Sequence, residues 1–146
     1  MNLVFDFGGV LFRWRPLHLM QQVLPARAID ETHARRWAAL VFQDYGGDWG
    51  EFDRGSVTAP ELVLRIARRT GLARFEVEAV INAVPAELAP IAESVALLNR
   101  LRDDSKRLGR KMFFLSNMPA PDAAHLEQAN EFVRGFDDGV FHRVCS

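Results

Sequence analysis

The ten residues LVFDFGGVLF, at positions 3–12, constrain the fold of this chain more than any other stretch. Three apolar residues lead into one carboxylate, Asp6, and two glycines, Gly8 and Gly9, then separate it from a second apolar run. Short apolar runs bounded by turn residues are typical of strands buried on both faces, as in parallel sheets. Asp6 is therefore predicted at the C-terminal end of a central strand, where open α/β sheets bind their ligands.

The residues at this strand end have the chemistry of an anion or metal site. Gly8 and Gly9 permit a sharp turn and let backbone N–H groups approach a bound anion. A carboxylate such as Asp6 can act there as a nucleophile or as a metal ligand. The alternative interpretation is that Asp6 caps a turn and has no further role.

A second short apolar strand is predicted at residues 112–115, and it ends at Ser116 and Asn117. If the two strands are parallel neighbours, Asp6 and Ser116 lie at the same edge of the sheet, where a phosphate could bridge them. Ser116 would donate its hydroxyl and Asn117 its amide to that phosphate. The alternative for Ser116 is an ordinary strand-end hydroxyl.

Helical periodicity without a strand fills the chain between these two strands, so we predict an α/β fold with a parallel sheet of about three strands and an inserted helical cap. The core is assigned to residues 1–13 and 90–146, and the cap to residues 14–89. Cap helices are predicted near residues 17–24, 30–42, 58–70 and 74–84, with Asp30 and Thr58 as N-caps of the second and third and Gly71 at the end of the third. A turn-rich stretch is predicted at 44–55. In the core we predict a helix that a polar loop at 103–110 ends, a helix at 122–132 capped by Asp122, a turn at 137–139 and a third strand at 140–144.

The first strand and the DFGGVL that follows it resemble the first motif of the haloacid dehalogenase (HAD) superfamily, in its phosphatase-like branch with a D-x-G-G/N-V pattern. The FFLSN at 113–117 is similar to the second motif of that superfamily, h-h-h-[ST]-N. The resemblance implies a Rossmannoid parallel sheet with a mobile inserted cap. It also implies a nucleophilic Asp6 and Mg²⁺ bound by Asp6 and the backbone carbonyl of Gly8.

The activity that the resemblance implies is magnesium-dependent hydrolysis of a small phosphorylated metabolite through an aspartyl-phosphate on Asp6. Residues 49–55, WGEFDRG, resemble a W-x-x-[FY]-[DE]-x-G loop that helps to select substrates in the caps of phosphatase-like members. Trp37 is predicted in the core of the cap. Phosphate binding is assigned to Gly8, Gly9, Ser116 and Asn117, and substrate selection to Trp14, Asp44, Trp49 and Arg54.

Two features depart from the superfamily pattern. Gly8 stands where most superfamily phosphatases carry a second aspartate, the general acid whose assistance is worth roughly 10²–10⁴-fold in rate. The superfamily also has a third motif with a Lys or Arg and a fourth motif with an acidic pair, and neither occurs within these 146 residues. The chain is therefore interpreted as C-terminally truncated. Truncation is expected to expose the edge of the first strand, which favours self-association. We therefore expect weak or absent catalysis. The alternatives are 2-haloacid dehalogenase chemistry, a catalytically silent fragment and a non-enzymatic phosphate-binding module.

Composition narrows the remaining functional classes. The formal net charge is −1, so no global field favours nucleic acid or membrane surfaces. One cysteine, Cys145, excludes an internal disulfide and a cysteine-based zinc cluster, and the four histidines lack ligand spacing. No signal peptide or membrane-spanning run is recognisable, and a cytoplasmic location is expected.

Overall fold

The computed structural model describes residues 1–140, with side chains through residue 138. The chain divides into two compact units. The sheet unit combines Met1–Trp14 with the chain from Leu88 onward, and the helical unit is Arg15–Glu87. In chain order the regular elements are β1 (Leu3–Phe5), α1 (Pro16–Val23), α2 (Glu31–Phe42), α3 (Gly47–Asp53), α4 (Ala59–Thr70), α5 (Arg74–Glu87), α6 (Ala92–Leu108), β2 (Met112–Leu115), α7 (Ala120–Ala129) and β3 (Asp138–Val140), with 3₁₀ turns at Gln43–Tyr45 and Glu131–Gly135.

The three strands form one parallel sheet in the order β1-β2-β3. Leu3 is level with Met112, and Phe113 is level with Asp138. The long connection from β1 to β2 contains the helical unit, and α7 with the second 3₁₀ turn connects β2 to β3. The predicted fold class, a small parallel sheet with an inserted helical segment, is confirmed.

Aromatic side chains form much of the sheet unit's core. The Phe7 ring is fully buried, with its centroid 4.7 Å from that of Phe114 and 5.4 Å from that of Phe12. Leu98 of α6 and Leu126 of α7 are also buried. Phe7 thus joins the two apolar runs on either side of Asp6 into one core, although Asp6 and Gly8, which flank it in sequence, are exposed.

The helical unit contains α1–α5, and two of its helices begin at the predicted N-caps. The Asp30 carboxylate accepts a hydrogen bond from the His33 N–H at 2.8 Å, and the Thr58 hydroxyl accepts one from the Glu61 N–H at 3.4 Å. Side-chain oxygens at the N-cap satisfy N–H groups that have no partner inside the helix. Gly71, with φ +77°, ends α4 as predicted. The buried faces carry Ala34, Ala38, Val41, Leu62, Val63, Ile66, Val77, Val80, Ile81 and Val84.

Several predicted boundaries were wrong. The stretch at 44–55, expected to be turns, contains α3, because burial of its aromatic side chains outweighs its glycine content. The polar stretch expected to end α6 instead continues it to Leu108, since Lys106 and Arg107 are good helix formers and are favourable in the last turn of a helix. α5 continues through Pro85 to Glu87. β3 begins at Asp138, inside the predicted turn, and residues 141–144 of the predicted third strand lie outside the described residues.

Candidate functional site

Two chemistry-bearing residues follow neighbouring parallel strands. Asp6 comes directly after β1, and Ser116 comes directly after β2. Phe5 and Phe114 are level in the sheet, so Asp6 lies one residue beyond that pair and Ser116 two residues beyond it. Both strands run in the same direction, and their C-terminal ends therefore meet at one edge of the sheet.

The Asp6 side chain is exposed to solvent, and its Oδ1 accepts a hydrogen bond from the backbone N–H of Phe7 at 2.7 Å. The Phe7 side chain is fully buried, so this N–H belongs to a backbone segment that the core holds in place. One carboxylate oxygen is therefore oriented by a rigid donor, while the group as a whole remains reachable from solvent. This combination suits a nucleophile or a ligand.

A tight turn follows Asp6. The Phe7 carbonyl accepts hydrogen bonds from the N–H groups of Leu11 at 3.0 Å and Phe12 at 2.9 Å, and Gly9 has a φ of +73°. This left-handed conformation favours glycine over other residues. The Gly9 N–H donates to the Phe12 carbonyl at 2.8 Å, so it is already used inside the turn. Of the two glycine N–H groups that the sequence suggested for anion binding, the N–H of Gly8 is therefore the better candidate.

Gly8 differs from Gly9 in conformation and in the space around it. Its φ lies outside the left-handed region, and a Cβ built on it would meet no described heavy atom within 4 Å. Glycine is therefore not required at position 8 by the backbone or by packing. A larger side chain would fit beside Asp6.

Ser116 is 4% exposed, whereas Asn117 is exposed. Both residues lie in the short loop between the end of β2 and the start of α7. Sequence reasoning placed both residues at this strand end, and the structure does so.

Asp122 was predicted to cap α7, but it lies inside the first turn of that helix and is 8% exposed. Burial raises the pKa of its carboxyl group to about 6, against a smaller opposing effect of His125. Its position among apolar residues in the sequence MPAPDAAHL was the available signal for this buried acid. Such a carboxyl group holds its proton to a higher pH than an exposed one.

The predicted substrate-selecting residues have different environments. Trp14 is half-buried in the sheet unit, while Asp44 and Arg54 are exposed on the helical unit. Trp49 is 4% exposed and packs edge-on against Phe42, with ring centroids 4.6 Å apart. This burial favours a packing role for Trp49 over contact with a substrate.

Trp37, predicted in the core of the cap, is half-buried. The Arg27 guanidinium carbon lies 5.5 Å from its ring centroid. The indole is therefore covered on one side by a cation and does not lie in the apolar interior.

The helical unit contains one strained segment that sequence reasoning missed. Gln43, Asp44 and Tyr45 have φ values of 48°, 53° and 61°. Left-handed backbone at non-glycine residues costs free energy and persists only where surrounding structure enforces it. The Gln43 side chain contributes to that enforcement, since its Oε1 accepts from the Asp48 N–H at 3.1 Å.

Among the described residues no group of three or more histidine, cysteine, aspartate and glutamate side chains is placed to hold a metal ion. The strand edge offers one carboxylate, from Asp6, and the backbone carbonyl of Gly8. Mg²⁺ commonly binds through one or two carboxylates together with substrate phosphates and water. These two groups are therefore compatible with a metal that a phosphate helps to hold, and they do not form a complete site by themselves.

The described part of the chain also has no helix that is long and apolar enough to cross a membrane.

No protein-family model matches the sequence. A curated relative, the sesquiterpene phosphatase astK of Aspergillus oryzae, is 25% identical over 138 residues, which cover 94% of this chain and 61% of the relative. The chain thus spans less than two thirds of the length of the curated relative it matches.

Solved structures have the same fold. A HAD family enzyme from Bacteroides thetaiotaomicron, solved as a magnesium complex, superposes with a TM-score of 0.59 at 16% identity and covers 96% of this chain and 66% of its own. The L-2-haloacid dehalogenase of Xanthobacter autotrophicus superposes with a TM-score of 0.57 at 18% identity, and the aligned region covers 95% of this chain and 55% of the dehalogenase chain. The fold that the sequence motifs implied is thereby confirmed.

Proposed function

We propose that this chain is a member of the haloacid dehalogenase superfamily and that it provides the nucleophile and the phosphate-binding edge for hydrolysis of a small phosphate monoester. The observation that carries the proposal is the shared strand edge: exposed Asp6 follows β1, and Ser116 follows the parallel neighbour β2. The 25% identity to a phosphatase favours phosphate over other substrates.

Asp6 is the proposed nucleophile. Its carboxylate forms a bond to phosphorus as the bond from phosphorus to the ester oxygen breaks, which gives an aspartyl-phosphate and an alcoholate. Water then attacks phosphorus and releases inorganic phosphate and the free carboxylate. The hydrogen bond from the Phe7 N–H to Asp6 Oδ1 orients the carboxylate for the first step.

Ser116, Asn117 and the Gly8 N–H are the proposed donors to the phosphate oxygens. Donors fixed before the reaction stabilise the charge of the phosphoryl group without reorganising during it. Ser116 is 4% exposed, so its side chain has little room to change position. Loss of one such donor costs roughly 10²–10³-fold in turnover at well-characterised sites.

The alcoholate leaving group receives its proton from water in this proposal, because Gly8 has no side chain to supply one. Esters of strongly basic alcohols should therefore react slowly. The expected activity is weak, and it is greatest for aryl phosphates, whose leaving oxygen needs little protonation.

The superfamily resemblance also implies Mg²⁺, for which the Asp6 carboxylate and the Gly8 carbonyl would be ligands. When bound, such an ion would offset repulsion between an anionic nucleophile and an anionic phosphate. A relative in fold is a magnesium complex, which supports the proposal.

The test is release of p-nitrophenol from p-nitrophenyl phosphate by the purified chain and by Asp6→Asn, each with Mg²⁺ or with EDTA. We expect slow turnover that requires Mg²⁺ and falls by roughly 10³-fold or more in Asp6→Asn, since an amide is a poor nucleophile. Asp103→Asn, which neutralises an exposed carboxylate on α6, is the matched control and should retain the wild-type rate.

Equal rates for wild type and Asp6→Asn would refute the proposal. If folded protein gives no turnover but inorganic phosphate raises its melting temperature, and Ser116→Ala removes that shift, the chain is a phosphate-binding module. If neither occurs, it is catalytically silent.

Halide displacement is the second candidate chemistry, because a halide leaves without a proton and Gly8 therefore imposes no penalty. Two dehalogenase structures share the fold at 18% and 19% identity. Chloride release from 2-chloropropionate that depends on Asp6, without p-nitrophenol release, would favour this chemistry over phosphate hydrolysis.

A further inference from the structure

A charged cluster joins the first and last residues of the helical unit. Arg15 begins this unit and Glu87 ends it. Arg15 Nε lies 3.3 Å from Glu87 Oε1, and His18 Nδ1 lies 3.1 Å from the same oxygen. We refer to Arg15, His18 and Glu87 as the neck cluster. It connects residues 69 or more positions apart in sequence.

Burial makes Glu87 the central member of the neck cluster. Its side chain is 11% exposed, whereas those of Arg15 and His18 are 51% and 43% exposed. A carboxylate removed from water to this extent requires hydrogen-bonding or charged partners. Both partners come from the start of α1, so the last turn of α5 is held by residues from the first turn of α1.

Each helix lacks the terminal residues that the other provides. α1 has no acidic residue in its first turn, and its N-cap, Arg15, makes no side-chain cap hydrogen bond. α5 has no basic residue in its last turn. A carboxylate is favourable at a helix N-terminus and a cation at a C-terminus, so Glu87 supplies the charge that α1 lacks, and Arg15 supplies the charge that α5 lacks.

Proline makes the end of α5 weaker than an ordinary last turn. Pro85 has no backbone N–H to donate into the helix, and it lies two residues before Glu87. Contacts from outside α5 must therefore hold this turn in place.

We propose that the neck cluster is a reciprocal electrostatic cap that holds the two ends of the helical unit together and sets the free energy of its local opening there. When the cluster breaks, the first turn of α1 and the last turn of α5 open together, before the rest of the unit. This inference does not depend on the proposed catalytic function.

Hydrogen exchange of backbone amides in the full chain tests the proposal, with Glu87→Gln, Arg15→Gln and the double variant. Glutamine keeps the side-chain volume and removes the charge. We expect exchange to accelerate roughly fivefold in both segments, at the amides of residues 19–20 in α1 and of residues 84, 86 and 87 in α5, which is the upper range for a partly exposed ion pair. Because the caps are reciprocal, the double variant should be little worse than Glu87→Gln alone.

Glu31→Gln is the matched control, because Glu31 forms an exposed ion pair with Arg35 within α2; it should leave both segments unchanged. Should Glu87→Gln fail to fold, the charge-exchanged variant Arg15→Glu with Glu87→Arg, in a His18→Gln background, should restore folding and slow exchange. Acceleration in one segment alone, additive single and double variants, or failure of the charge exchange to restore protection would overturn the proposal.

Discussion

At the scale of single residues, the candidate site depends on contrasts between neighbours. Asp6 is exposed while Phe7 is fully buried, so the core holds the backbone that orients the carboxylate. Gly9 needs its left-handed backbone and uses its N–H within the turn. Gly8 has no left-handed backbone, and a Cβ built on it would meet no described heavy atom within 4 Å. Position 8 is therefore where a side chain can be added to the site most directly.

Gly8→Asp should add the proton donor that the site lacks. Space is available for the side chain, and the backbone is outside the left-handed region. If phosphate monoesters are substrates, hydrolysis of an alkyl phosphate should rise by about tenfold to a hundredfold, with little change for p-nitrophenyl phosphate, because general acid assistance matters most for basic leaving groups.

Val10→Asp is the control for Gly8→Asp, since Val10 is exposed in the same turn and its substitution adds the same charge elsewhere. It should not change the ratio of the two rates. A rise of equal size for both substrates in Gly8→Asp would contradict the assignment of a general-acid role to position 8.

Asp122 should make folding stability depend on pH. Its pKa is about 6 in the folded state against 3.8 for the ordinary residue, so the folded state retains a proton that the unfolded state loses. The stability contributed by this group is fully present below about pH 4 and is lost as pH rises through 6. Between pH 4 and pH 8 the loss should be on the order of 1–3 kcal/mol, allowing for solvent access.

Urea unfolding of wild type and Asp122→Asn at a series of pH values measures this effect. The asparagine variant should gain stability relative to wild type as pH rises from 4 to 8. Asp103→Asn, at an exposed position on α6, serves as the control and should not show this trend. Curves for Asp122→Asn and wild type that remain parallel across the range would show that Asp122 does not carry the effect.

At the scale of elements, local sequence signals and tertiary packing make different contributions. α4 begins at a Thr58 cap, ends at left-handed Gly71 and carries an apolar face, so every local signal agrees with the observed helix. α3 contains two glycines, is flanked by two more and was not predicted, yet Trp49 and Phe52 are buried. Packing against α4 and the ion pair from Asp48 Oδ2 to Arg69 Nε, at 3.1 Å, stabilise it instead.

Thr58→Ala should destabilise the helical unit through the start of α4. The substitution leaves the Glu61 N–H without its side-chain acceptor, and loss of an N-cap typically costs about 1 kcal/mol. The bond is long at 3.4 Å, so we expect roughly 0.5–1 kcal/mol in urea unfolding. Thr32→Ala, at an exposed position within α2, is the matched control. A cost equal to that of the control would exclude a capping role for Thr58.

At the scale of the whole molecule, β1 is an edge strand of the sheet that the described residues form. β1 pairs with β2 on one side, and among the described residues no strand pairs on the other. Leu3 donates its N–H to Lys111 across the β1–β2 boundary, so alternation directs the backbone groups of Val4 outward. Val4 is 64% exposed, and an apolar open edge favours pairing with another strand.

We predict that the chain self-associates through the β1 edge and that Val4→Lys weakens this association, because a charged side chain on an edge strand disfavours strand pairing. Sedimentation velocity over a tenfold range of concentration should show a larger monomer fraction than for wild type. Leu64→Lys, which replaces an exposed apolar residue on α4, should leave the association unchanged. If both variants reduce association equally, general surface hydrophobicity is the cause and the β1 edge is not the interface.

The α/β class, both apolar strands and the positions of Asp6 and Ser116 at strand ends could be read from the sequence, because short apolar runs, caps and turn residues act locally. Other features depend on residues distant in sequence: the occupied N–H of Gly9, the buried Asp122, the helix α3 and the neck cluster. Local preference could not reveal them, since burial and long-range hydrogen bonds are decided by what packs against each residue after folding. The tertiary structure therefore decided which groups near the predicted site are available for binding and which are used within the fold.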